Sequence, residues 1–133
     1  MIYTTRVPIV TPITAGRGIP DDYTDWAITG FRDARMHEFA DTDTRYIYVP
    51  VDGDSLRNKQ ICDGDLLLCR LTQSYVDGKI GIWQTPNGRT AKYATHDDDN
   101  YVVLHNQDGW SQRWQAEELR LIGIVERVER DDP

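Results

Sequence analysis

From residue 46 onward the apolar positions fall in short alternating or continuous runs of strand length, separated by Asp-Gly and Asn-Gly pairs. The pairs stand at Asp52-Gly53, Asp63-Gly64, Asp77-Gly78, Asn87-Gly88 and Asp108-Gly109. Each tolerates the positive φ that a tight turn demands. The pattern predicts strands over Tyr46–Val51, Asp65–Leu71, Lys79–Gln84, Arg89–Thr95, Tyr101–His105 and Leu119–Val128, all rich in branched and aromatic residues. Two short helices are expected, one starting at Ser55 and one over Ser111–Glu118, with Ser111 as cap. In the last strand Leu119, Leu121 and Val125 fall on one face and Ile122, Ile124 and Val128 on the other, so both faces are expected to be covered. The fold class is therefore all-β with one or two short helices.

The first 45 residues read differently. Pro8, Pro12, Gly16, Gly18 and Pro20 interrupt every candidate element, and Asp21 to Ala40 mixes aromatic and acidic residues without a period. The expected organisation is an extended arm over residues 1–45 and a β domain over residues 46–133, together forming one structural domain.

Composition narrows the function. A chain of 133 residues can bury about two-thirds of its unfolded surface, enough for one core. Its 39% hydrophobic and 28% charged residues are those of a globular protein, not a disordered chain or a membrane span. The net charge of −7 sets the domain against a phosphate backbone, so it is not expected to bind DNA directly. No apolar run has the length of a signal peptide or a membrane span, and the expected location is the cytoplasm, with no membrane partner. Cys62 and Cys69, seven apart, suit two reduced thiols better than a disulfide framework.

Candidate chemistry starts at Val51-Asp52-Gly53-Asp54-Ser55-Leu56, where a predicted strand runs into a predicted helical turn. A serine there sits beside unpaired backbone N–H groups, and those of Asp54 and Ser55 could hold an oxyanion. Lys92, just past the Asn87-Gly88 turn, is the candidate base. By strand alternation it shares a face with Thr90 and Ala94, while Arg89, Ala91 and Tyr93 point the other way. A lysine takes a proton from serine only when uncharged, which burial away from carboxylates favours, and there is no acidic residue within two positions of it.

These segments, in this order, resemble the LexA and UmuD family of self-cleaving peptidases. The resemblance runs through Val51–Leu56 as the serine segment, Asp63-Gly64-Asp65-Leu66-Leu67 as a strand start, and Thr90-Ala91-Lys92 as the lysine strand. His105-Asn106 falls in the place of the family's Pro-x-Asn turn, and Ile122-Gly123-Ile124-Val125 in that of its last apolar strand. In the arm, Val7-Pro8-Ile9-Val10 followed by Thr14-Ala15-Gly16 is similar to the segment these proteins cut in themselves. Leu56 and Asp52 depart from the residues commoner at those positions, and the interval from Ala15 to Ser55 is longer than typical.

The resemblance implies strongly bent sheets with an N-terminal cleavage arm, Ser55 as nucleophile, Lys92 as base, Ala15-Gly16 as the bond cut, and no metal or organic cofactor. It also implies a homodimer, a RecA-DNA filament as co-activator, and DNA binding only through a separate N-terminal domain outside this chain. The implied role is the self-cleaving, dimerising domain of a LexA-like or prophage-type repressor acting in the SOS response to DNA damage. The alternatives are a UmuD-like stand-alone polymerase accessory protein and a catalytically idle dimerisation module.

Competing chemistries fit less well. Gly53-Asp54-Ser55-Leu56 spells the GDSL esterase signature, but the Asp-x-x-His pair those enzymes need near the C-terminus is missing. His96-Asp97-Asp98-Asp99 are consecutive residues that cannot converge on one ion, and a calcium loop beginning at Asp52 fails at Leu56 and Arg57. Trp26, Trp83, Trp110 and Trp114 are expected to pack.

Overall fold

The computed structural model describes residues 2–10, 13–14, 28–37, 44–52, 61, 64–98, 100–106 and 109–130. In chain order the strands are β1 (Ile2–Val10), β2 (Ile13–Thr14), β3 (Ile28–His37), β4 (Tyr46–Asp52), β5 (Leu66–Leu71), β6 (Gly81–Thr85), β7 (Gly88–Asp98), β8 (Tyr101–His105), β9 (Ser111–Gln115) and β10 (Arg120–Glu129). They form one mixed sheet in the order β3-β1-β4-β5-β10-β6-β7-β8-β9, with β2 alongside β4. The fold is all-β, and the six strands read from the sequence are all present within a few residues of their expected ends.

The turn signals act as expected. Gly64, Gly78, Gly88 and Gly109 all have φ between 84° and 113°, a region closed to most side chains. At the β6–β7 hairpin the Thr85 hydroxyl donates to the Gly88 carbonyl at 2.9 Å and accepts from the Asn87 N–H at 3.0 Å, closing the turn from inside.

Three apolar clusters hold the sheet. Val10, Val49, Val51, Ile61, Leu67, Ile82, Ala91 and Tyr93 belong to the largest, which links β4 and β5 to β6 and β7. Val7, Ala34, Met36, Tyr48, Leu66 and Leu68 form a second under β1 and β3. Trp83, Val102, Leu104, Trp114, Leu121 and Ile124 form a third around β8 and β9. Each fully buried aliphatic or aromatic side chain contributes about 1.5–3 kcal/mol.

Strand β10 is the hub, antiparallel to both β5 and β6, with register shifts at Leu121/Gly123 and Val125/Arg127. Gly123 allows the close approach: a Cβ there would lie 2.7 Å from the Arg70 carbonyl oxygen. The shifts break strict alternation, so Leu121, Ile124 and Val125 are buried while Val128 is 38% exposed. Past the shift, Arg130 grips the buried Asp65 carboxylate with two hydrogen bonds, at 2.9 and 3.1 Å.

The structure departs from the expected elements in two places. Residues 111–118 are not a helix: Ser111–Gln115 pairs with β8 along its length, and only Ala116–Glu118 turns, as a single 3-10 turn. Ser111, the expected cap, is instead the first residue of β9, and the turn is capped by a reciprocal box of Gln115 and Glu118. Within the arm, β1 and β3 form a long antiparallel pair with buried Val7, Val10, Ala34 and Met36. The inward side of β3 includes Gly30 and Arg32, which hid its period from a hydrophobicity reading; Arg32 faces that way because it pairs with Glu129 at 3.1 Å and lies over the Tyr48 ring. The helix expected at Ser55 lies outside the described residues.

Candidate active site

Lys92 sits in the middle of β7, opposite Gly81 of β6, and is 1% exposed. A lysine is seldom buried so completely, because removing an ammonium from water is costly and disfavours the charged form. Its surroundings follow from the local pairing. Trp83 stands opposite Thr90, on the same face, and its indole lies across Gly81 to donate to the Lys92 carbonyl at 3.1 Å. Any side chain at Gly81 would prevent this, since a Cβ would stand 2.7 Å from the indole nitrogen. Two residues along, on the lysine face, the Thr90 hydroxyl is buried and makes no hydrogen bond among the described residues.

Trp110 completes the setting. Asn106, 7% exposed, donates its backbone N–H to the Trp110 carbonyl at 2.9 Å, closing the connection from β8 to β9. The Trp110 ring, 40% exposed, lies 5.1 Å from the Lys92 ammonium nitrogen. The sequence reading treated Trp110 as packing and missed it. A tryptophan beside an Asp-Gly turn at the expected Asn106 position was the only available signal, and nothing local links it to Lys92.

Three elements converge here. β2 runs parallel to β4, with Ile13 opposite Val51 and Thr14 opposite Asp52, and it also touches β7. Four positions of the sheet order separate β4 from β7, so the sheet must curl to bring both against β2. Val51 of β4 and Ala91 and Tyr93, on the face of β7 opposite Lys92, accordingly share one core. Ala15 follows Thr14 directly, and Ser55 comes three residues after the end of β4. Ala15, Gly16, Asp54 and Ser55 themselves lie outside the described residues; Lys92 is the one expected site residue within them.

Elsewhere the titratable groups do other work. Asp97 and Asp98 both pair with Arg113 across from β7 to β9, and the Arg113 guanidinium lies over the Tyr101 ring. Cys69 is fully buried, and burial pushes its thiol well above the usual range; Cys62 lies outside the described residues. A groove of about 420 Å³ lined by Ile47, Leu71, Arg120 and Ile122 does not include Lys92. Among the described residues no helix is long and apolar enough to cross a membrane.

The family model for Peptidase S24-like proteins matches residues 2–126, from the first strand nearly to the end of the last. No curated protein matches the chain.

Proposed function

Because the chain belongs to the Peptidase S24-like family, the self-cleaving serine peptidases of the LexA and UmuD type, we propose that it hydrolyses its own Ala15-Gly16 bond with Ser55 and Lys92. Uncharged Lys92 takes the Ser55 proton and Ser55 Oγ attacks the Ala15 carbonyl carbon. Backbone N–H groups at Asp54 and Ser55 hold the oxyanion. The Gly16 amine leaves with a proton from Lys92, and water then hydrolyses the acyl-enzyme. The observation that carries the reading is the burial of a lysine on a strand touched by β2, whose Thr14 lies opposite Asp52 in the strand leading to Ser55. Small residues at the cut let an extended backbone enter a narrow cleft.

The role we propose is the regulatory domain of a LexA-like or prophage-type repressor, a cytoplasmic homodimer with a RecA-DNA filament as co-activator. Sedimentation of the purified chain reads the dimer; a monomer at micromolar concentration counts against it.

The decisive experiment is mass spectrometry of denatured samples after incubation between about pH 7 and pH 10. The expected result is loss of the first 15 residues, faster as pH rises, with the parent rate reduced at least about a thousandfold in Ser55→Ala and in Lys92→Met. A parent chain that stays intact, or a Ser55→Ala chain cut at the parent's rate, overturns the reading.

A further inference from the structure

We infer that β1 fills a peptide-binding slot between β3 and β4 that survives the cut, so that the severed N-terminal piece remains bound as a non-covalent strand. The inference takes from the self-cleavage reading only the place of the break. It holds for a break anywhere between Thr14 and Ile28.

The first observation is topological. β1 is an interior strand of the sheet, antiparallel to β3 over all nine of its residues and parallel to β4 at Ile9 opposite Tyr48. β2 continues the parallel ladder at Val51 and Asp52. A break after β2 therefore places β1 and β2 on one piece and both partner strands on the other. Hydrolysis of one peptide bond between the two pieces removes none of these cross-strand contacts.

The second observation is where the side chains go. Val7 and Val10 are three residues apart, 2% and 4% exposed, and they enter different cores. Val7 packs with Ala34, Met36 and Tyr48, whereas Val10 belongs to the cluster of Val49 and Val51. A strand buried on two sides differs from an arm lying on a surface. Its departure would open a void in each core and leave the facing edges of β3 and β4 without their ladder partners, and both consequences oppose release.

Two contacts set the register. The Thr29 hydroxyl donates to the Ile9 carbonyl at 3.2 Å, and the Arg6 guanidinium lies 4.4 Å from the centre of the Phe31 ring. The slot thus takes an extended peptide with apolar residues at the Val7 and Val10 positions and a cation at the Arg6 position, which describes the chain's own N-terminal product. Cutting and release become separate steps, and the second sets how fast the piece leaves.

The test uses the full chain carrying Ser55→Ala, to silence self-cleavage, with the recognition sequence of a site-specific protease in place of residues 17–23. After complete digestion, verified by mass spectrometry under denaturing conditions, the sample is passed through a size-exclusion column in native buffer. The expected result is co-elution of the N-terminal piece with the large fragment, and separation only in denaturant. Adding Val7→Ala and Val10→Ala is expected to speed release roughly tenfold or more. Loss of the piece from a folded, fully cut protein in native buffer overturns the inference, and the parent measurement decides alone if the double variant does not fold. Failure of the unaltered chain to cut itself at high pH sinks the self-cleavage reading and leaves this result standing.

Discussion

At the scale of single residues, Lys92 is the informative side chain, because its burial is costly to folding and useful only if the amine has a task. Replacing it with Met keeps the volume and removes the desolvated amine. Lys92→Met is therefore expected to keep a cooperative unfolding transition in urea, while self-cleavage is lost. Trp110 acts on the same amine in the opposite sense to burial. Its ring face, 5.1 Å from the ammonium nitrogen, favours the charged form by about 0.5–1 kcal/mol. Removing it makes the uncharged form easier to reach. Trp110→Ala should speed self-cleavage roughly two- to fivefold on the rising limb of the pH–rate profile and have no effect on the plateau. A uniform slowing at every pH would mean that Trp110 only positions the chain. Cys69 gives a simpler expectation. With its thiol buried and held protonated, it should resist maleimide in a Cys62→Ser background at neutral pH and react only as the protein unfolds.

Among the elements, β10 holds the two halves of the sheet together, and Gly123 is the point where it approaches β5 most closely. The atom a Cβ would meet is a backbone carbonyl, 2.7 Å away, which cannot swing aside as a side chain can. Gly123→Ala should therefore cost about 2 kcal/mol or more, measured as a lowered unfolding midpoint. Element-level reading also explains which strands were legible. β5, β6 and β7 carry apolar runs between strong turn signals, so residues 66–71, 81–85 and 88–98 were found close to their true limits. β9 has one buried side chain, Trp114, and owes its conformation to pairing with β8, so its sequence read as a helix. β3 was illegible because Arg32 points inward to a carboxylate on β10, with three strands between them in the sheet order and nearly a hundred residues between them in sequence.

Across the whole molecule, one ion cluster ties together strands that are not neighbours in the sheet. Glu129 of β10 accepts a hydrogen bond from the Tyr48 hydroxyl at 2.7 Å and pairs with Arg127 and Arg32, while Arg127 also reaches the Arg35 carbonyl of β3 at 2.7 Å. Strands β3 and β10 are thus tied although β1, β4 and β5 lie between them in the sheet order. Burial works to raise the Glu129 pKa, but the hydrogen bonds from Tyr48 and Arg127 and the charges of Arg127 and Arg32 outweigh it and hold the carboxyl below its usual range. A carboxyl lowered in this way adds stability above the unfolded value of 4.5, and that contribution is lost as pH falls through the folded value. Thermal unfolding followed from neutral pH to about pH 3 should show this loss, and Glu129→Gln should flatten it while costing about 1–2 kcal/mol at pH 7. By itself, the sequence determined the all-β class, six of the strands with their turns and the candidacy of Lys92, because period, glycine conformation and residue chemistry are local. Only the tertiary structure decided that Lys92 is buried, that Trp110 lies beside it, and that β2 lies between β4 and β7. Those facts arise from strands far apart in the chain closing over shared cores, and no local pattern encodes a distance between them.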